Sequence, residues 1–161
     1  MTNYNFTNIT PNSSDNKRIH LELKKPYENV SVLGTLILKK NEKFDVDMDI
    51  THKAKNVSAK ILVKAVLYDN AQLVFKGKVK VNKNIKDCDS SLSLKALLVG
   101  KGCRVLASPV LEIANNSVKC MHKVAISVPS KEEIFYLMSR GLSKGSATKF
   151  IAEGFITIKN D

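Results

Sequence analysis

The amino-acid sequence predicts a mainly β chain that ends in two helices, and two observations carry that expectation. From Ile19 to Ser127, apolar and polar residues alternate in short runs, most of which close on Asn, Gly or Asp, as strands bounded by turns do. Beyond Ser127 the period changes. Pro129, Ser130 and Glu133 form a helix-entry signature, and the apolar residues that follow recur at helical spacing.

Taken in order, residues 1–18 are dominated by Asn, Thr and Ser with little apolar periodicity, so a disordered N-terminal tail is expected there. The β core is expected over 19–129. Ile19 to Lys24 alternates cleanly, Val30 to Lys40 continues the pattern after Pro26, and Phe44 to Ile50 alternates again. Five more strand-like runs follow between Ser58 and Ser127. Their starts are irregularly spaced, so no strict sequence repeat can be claimed. Pattern alone leaves both a solenoid and a β-sandwich open.

The helical hairpin is expected over 130–158. Ser130 and Glu133 make a capping box for a helix starting near Lys131, and Gly141 can close its last turn in the left-handed conformation. Ile134, Leu137 and Met138 share one face of that helix. A second helix follows Leu142, with Ser143 as its cap and Ala147, Phe150, Ile151 and Phe155 on one stripe. Two helices this short bury too little to stand alone, so the hairpin must dock on the sheet, on a partner, or on both.

Composition narrows the class. The chain has 161 residues, enough for one domain with a sizeable core, and a formal net charge of +11. A basic balance raises nucleic-acid binding. Yet only Arg18, Arg104 and Arg140 are arginines, and lysines such as Lys76, Lys78 and Lys80 alternate with apolar residues, which places them on one solvated sheet face. A lysine-rich face that discourages edge-to-edge pairing accounts for them, and nucleic acid is not the expected partner. No apolar run is long enough to span a bilayer, and the N-terminus has no secretory pattern. Cys88, Cys103 and Cys120 are odd in number with no CxxC spacing, which argues against a disulfide framework or structural zinc; the cytosol is the expected compartment.

The stretch Val118 to Phe155 carries a resemblance. VKCMH, then FYLMSRGLS, an alanine four residues on and an apolar helix after it are similar to the C-terminus of the SufB/SufD family of iron–sulfur cluster assembly proteins, closest in pattern to the SufD branch. A looser likeness reaches back over Ile50 to Ile158. The resemblance implies a right-handed parallel β-helix core with a C-terminal two-helix hairpin. In such a solenoid the open ends need capping, and the hairpin is a candidate cap. Family members are much longer, so the chain is expected to hold only the last coils and the helices.

The candidate chemistry lies on Cys120 and His122, which as residues two apart on a strand face the same way. Thiolate and neutral imidazole suit iron or an iron–sulfur cluster, but two ligands hold one poorly, so the site would be completed across a subunit interface. The resemblance implies that His122 matches the histidine that SufD-like proteins contribute to a paired interface with SufB. Lys123 departs from the small or acidic residue usual at that position. The family's important SufB cysteine falls near Leu94 in a gapless match; Cys88 reaches it only with an insertion and is the third candidate, while Cys103 is incidental. His20 and His52 are read as solvent-exposed or packed residues.

The resemblance also implies that the C-terminal helices dock SufC, an ABC-type ATPase. Phe135, Tyr136, Met138, Phe150 and Phe155 exceed what one face of two short helices can bury, which leaves some for a partner, and Arg140 either steadies the preceding helix end or pairs with a partner's acid. No P-loop, Rossmann glycine pattern or nucleophile-with-base motif is present, so an autonomous enzyme is not expected. The expected function is a scaffold subunit of a SUF-type assembly complex, holding a transient interface-bound iron–sulfur cluster beside a SufB-like subunit or an identical copy. The alternative is a non-catalytic binding module with a lysine-rich β surface for nucleic acid or another anion. A carbohydrate-active solenoid would need clustered carboxylates; Asp45, Asp47 and Asp49 share a face and are read as a solvated strand edge with some capacity for cations.

Overall fold

The computed structural model describes residues 2–9 and 16–157, with residues 3–9 described by backbone alone. Among these residues nine strands precede two helices: β1 Thr2–Ile9, β2 Asn16–Leu23, β3 Asn29–Leu38, β4 Lys43–His52, β5 Ser58–Leu67, β6 Gln72–Val81, β7 Cys88–Leu98, β8 Arg104–Ile113, β9 Val118–Ser127, α1 Lys131–Ser139 and α2 Lys144–Ile156. Odd strands form one sheet in the order β1-β3-β5-β7-β9, and even strands form the other, β2-β4-β6-β8. Every pairing is parallel. Each strand therefore pairs with the strand two ahead in sequence, which is the topology of a β-solenoid and excludes the sandwich.

The repeat unit is a coil of two strands. Register places Asn29 opposite Ser58 and Lys43 opposite Gln72, 29 residues on in each case, while Gln72 lies opposite Arg104, 32 residues on. Corners recur with it. Tyr27, Asn56 and Asp87 take positive φ at one corner, and Lys40 and Asp69 at the other, each reversing the chain where Asn or Asp tolerates the left-handed region better than Tyr or Lys. At the next turn along, Gly100 lies so close to the Asp69 backbone that a Cβ there would sit 2.1 Å from its amide nitrogen. The turns thus stack as tightly as the strands.

Because parallel in-register neighbours point the same way, inward residues line up in columns. Val32, Ile61 and Leu92 make one column in the odd sheet; Ile50 and Val79 belong to another in the even sheet, and all five are buried. Gly77 leaves the space that Leu92 fills across the core, since a Cβ on it would stand 2.3 Å from Leu92 Cδ2. Each fully buried aliphatic side chain contributes about 1.5–3 kcal/mol.

The N-terminus differs from expectation. Residues 1–18 are not a loose tail throughout: Thr2–Ile9 pairs in parallel with β3, and β2 begins at Asn16 and pairs with β4. Position 1 and positions 10–15 lie outside the described residues, as does 158 at the other end. The first strand went unread because Asn3, Asn5, Thr7 and Asn8 surround Tyr4 and Phe6 and make the run look merely polar.

The hairpin follows the sequence closely. Ser130 Oγ accepts the Glu133 amide and Glu133 reaches back to the Ser130 amide, completing the capping box, while Gly141 takes φ 93° and Ser143 caps α2. The hairpin does not cap the open end of the solenoid. It lies on the outer face of the odd sheet, where Ala152, Ile151 and Phe155 pack on Val66 and Leu97. Lys64 Nζ donates to the carbonyls of Phe155 and Thr157, at 2.9 and 2.7 Å, so a strand side chain closes the C-terminal end of α2.

Candidate functional site

Among the described residues the last coil has no neighbour on its far side, and the candidate residues sit there. On β9, Val118, Cys120, His122, Val124 and Ile126 stand above Cys88, Ser90, Leu92, Leu94 and Ala96 of β7, all of which are buried. The β9 row thus continues the inward columns, yet it is only partly covered: Val124 is 37% and Ile126 47% exposed, and His122 is exposed. Side chains patterned for an interior form an open rim.

Cys120 and His122 share that face, as their spacing requires. Cys88 lies one strand below, beside Val118, hence diagonal to Cys120. Its thiol is buried, 3.6 Å from the carbonyls of Ala54 and Lys86. Burial pushes the pKa of both thiols above the usual range, and Cys120 is raised further by the neighbouring Cys88 and Asp89. Both are therefore held as thiols until a metal or a base takes the proton. Leu94, where the gapless match put the family's cysteine, is buried beneath Val124.

Among the described residues no group of three His, Cys, Asp or Glu side chains is placed to hold a metal ion. On the inward row of β9 only Cys120 and His122 carry donor atoms suited to a metal. Cys103 lies elsewhere, half-buried at a turn with its thiol 3.5 Å from the Asp69 carbonyl.

His52 is the buried histidine. It has no exposed surface, continues the Leu23 and Val81 column, and neither ring nitrogen has a hydrogen-bond partner among the described residues; burial depresses its basicity, so it is neutral. His20 lies outside, 3.7 Å from Asp49 and 3.6 Å from Glu22.

The outer face of the even sheet is charge-balanced. Asp47 lies in register between Arg18 and Lys76, and Asp49 between His20 and Lys78. Arg18 pairs with Asp47 at 3.6 Å and Lys78 with Glu112 at 2.7 Å, while Lys24 and Lys53 hold the Glu22 carboxyl down at about 2. Asp47 and Asp49 are thus flanked by basic residues while Asp45 lies between Asn16 and Val74, on an interior strand and not the solvated strand edge expected from sequence, and the lysines there are not an unopposed basic surface.

On the hairpin, Phe135 is 73% and Phe150 61% exposed, and Tyr136 and Met138 also face solvent. The Arg140 guanidinium stacks over Tyr136, 5.3 Å from the ring centroid. Phe155, by contrast, packs on the sheet with Lys64 over its ring. A groove of about 600 Å³ opens between α1, α2 and the end of β9, lined by Val128, Tyr136, Leu137, Phe150 and Phe155 among others.

The sequence matches the SUF system FeS cluster assembly SufBD core domain over residues 2–155. The chain belongs to the SufBD family. The match begins far upstream of Ile50, where the likeness of motifs starts, and takes in all nine described strands. An iron–sulfur cluster assembly SufBD family protein of Staphylococcus saprophyticus is 31% identical over 126 residues, covering 78% of this chain and 27% of that protein. Homologous SufBD family proteins of Staphylococcus epidermidis and Staphylococcus haemolyticus are each 29% identical over the same length. This SufBD chain therefore spans about a quarter of the length of the curated relatives it matches. No helix among its described residues is long and apolar enough to cross a membrane.

Proposed function

We propose that this SufBD chain is a non-enzymatic scaffold subunit of a cytoplasmic SUF-type assembly complex, pairing through its last coil with a SufB-like subunit or a second copy of itself. The observation that carries the reading is the open rim of β9. A row of inward-type residues, two of them metal donors, is left uncovered at the end of an otherwise filled solenoid, and the free strand edge beside it offers unpaired backbone groups. A facing subunit would bury Val124 and Ile126 and bring the further donors that Cys120 and His122 lack. The cluster is the cargo of such an interface.

The hairpin is the second docking element. Its exposed Phe135, Tyr136, Met138 and Phe150 fit an ABC-type ATPase of the SufC kind, with Arg140 held beside them, and the hydrolysis belongs to that partner. Phe155 supports the hairpin from beneath.

Anaerobic reconstitution with iron and sulfide in the presence of the partner subunit tests the cluster. Wild type should develop cluster absorbance that His122→Ala reduces at least severalfold, and Cys88→Ser should matter less. Equal cluster yield from His122→Ala and wild type would refute the assignment. Co-purification with an ABC-type ATPase, lost in a Phe135→Ala/Phe150→Ala double variant, tests the handle.

A further inference from the structure

The two outer sheet faces differ in charge. On the even sheet cations and carboxylates interleave. On the odd sheet the outward charged residues of β5, β7 and β9 are Lys60, Lys64, Lys95, Lys119 and Lys123 against Asp89 alone, which lies in register with Lys119. The outward positions of β3 carry no charge. Lys64 is committed to the end of α2. Lys60, Lys95 and Lys123 are exposed and make no ion pair among the described residues.

This row is continuous with the hairpin. Lys95 precedes by two residues Leu97, on which α2 packs, and Lys123 precedes by four Ser127, which lines the apolar groove. Anything seated on Phe150 and Tyr136 and extending over the sheet therefore meets unopposed positive charge. An apolar centre with a charged border is the anatomy of a protein interface.

We infer that the ATPase which docks on the hairpin presents an acidic rim to Lys60, Lys95 and Lys123, and that this contact steers its association; the inference rests on the docking reading above. A nucleic acid fits less well. The residues between these lysines are Ser91, Ser93, Met121 and Ala125, with no arginine for bidentate phosphate contacts and no aromatic ring for stacking. A rim charge acts chiefly on the rate of association and its salt dependence, whereas the buried aromatic anchors act on dissociation.

The test is stopped-flow association of the full chain with its cognate ATPase between 50 and 300 mM NaCl. Lys95→Glu/Lys123→Glu is compared with Lys76→Glu/Lys80→Glu on the opposite face, which changes net charge by the same amount. The first pair should slow association at 50 mM about tenfold, flatten or invert its salt dependence, and leave dissociation within twofold. The second should change association by less than threefold. Phe135→Ala/Phe150→Ala should instead accelerate dissociation. If the aromatic variant loses binding while both lysine pairs behave alike, the acidic rim is wrong and the docking reading stands. If wild type does not bind the ATPase, both fall. Retention of a single-stranded RNA oligonucleotide at 150 mM salt, abolished by Lys95→Glu/Lys123→Glu with ATPase association unchanged, would assign the face to nucleic acid and overturn the inference.

Discussion

His52→Leu should make the protein more stable and remove a pH dependence. His52 is fully buried in an apolar column between Leu23 and Val81, and both ring nitrogens lack partners among the described residues. A buried polar group without hydrogen bonds costs about 1–3 kcal/mol, which a leucine of similar volume avoids. The second effect comes from protonation. Burial lowers the folded basicity of His52 from its ordinary value of 6.5, so the unfolded chain binds this proton more readily than the folded one. The contribution is constant above 6.5 and is lost as pH falls below it, at about 1.4 kcal/mol per unit, until the folded-state value is reached. Between pH 7.5 and 5.0 the wild type should therefore lose up to about 2 kcal/mol relative to the variant. Urea unfolding of both proteins at those two pH values measures it. A gap that does not change with pH, or a variant no more stable than wild type at pH 5.0, would refute the argument and mean that His52 finds a partner or reaches water.

Other perturbations test the remaining parts of the structure. Lys64→Met removes two charge-assisted hydrogen bonds to the end of α2 and should loosen the hairpin by about 1–2 kcal/mol, read as faster amide exchange in α2 with the strands unaffected. Gly100→Ala forces a Cβ against the Asp69 backbone, which cannot swing aside as a side chain does, and should lower stability by about 2–3 kcal/mol in the same urea assay. Cys88 is buried and its thiol is held protonated at pH 8, so alkylation followed by mass spectrometry should leave it unmodified in the folded protein and label it only on unfolding.

Much of this architecture is legible in the residue order, and the failures share one cause. The hairpin is encoded locally: Ser130, Glu133, Gly141 and Ser143 each act within a few positions, and the structure uses all four as the sequence suggests. Alternation likewise marks strands without any knowledge of their partners. The period escapes because it belongs to pairs of strands. Successive strand starts look uneven, whereas Tyr27, Asn56 and Asp87 mark the coil when corners are compared with corners. Lys64 escapes because the carbonyls it holds are more than ninety residues away. His52 and His122 carry the same side chain on strands of the same pattern. What separates them is whether another coil lies on top, and nothing near either residue says so. Cys88 and Cys120 are brought to diagonal positions on adjacent strands by register alone.

Attachment of the helices to β5 and β7, and not to the terminal strand, has a consequence for how the molecule opens. In a stacked array stability is a sum of nearest-neighbour terms, so unravelling begins at a rung flanked on one side only. Val118–Ser127 is such a rung: among the described residues β7 is its sole neighbour in the sheet. The handle is bolted further in. The strand bearing Cys120 and His122 can thus peel away and re-anneal while the helices keep their seat.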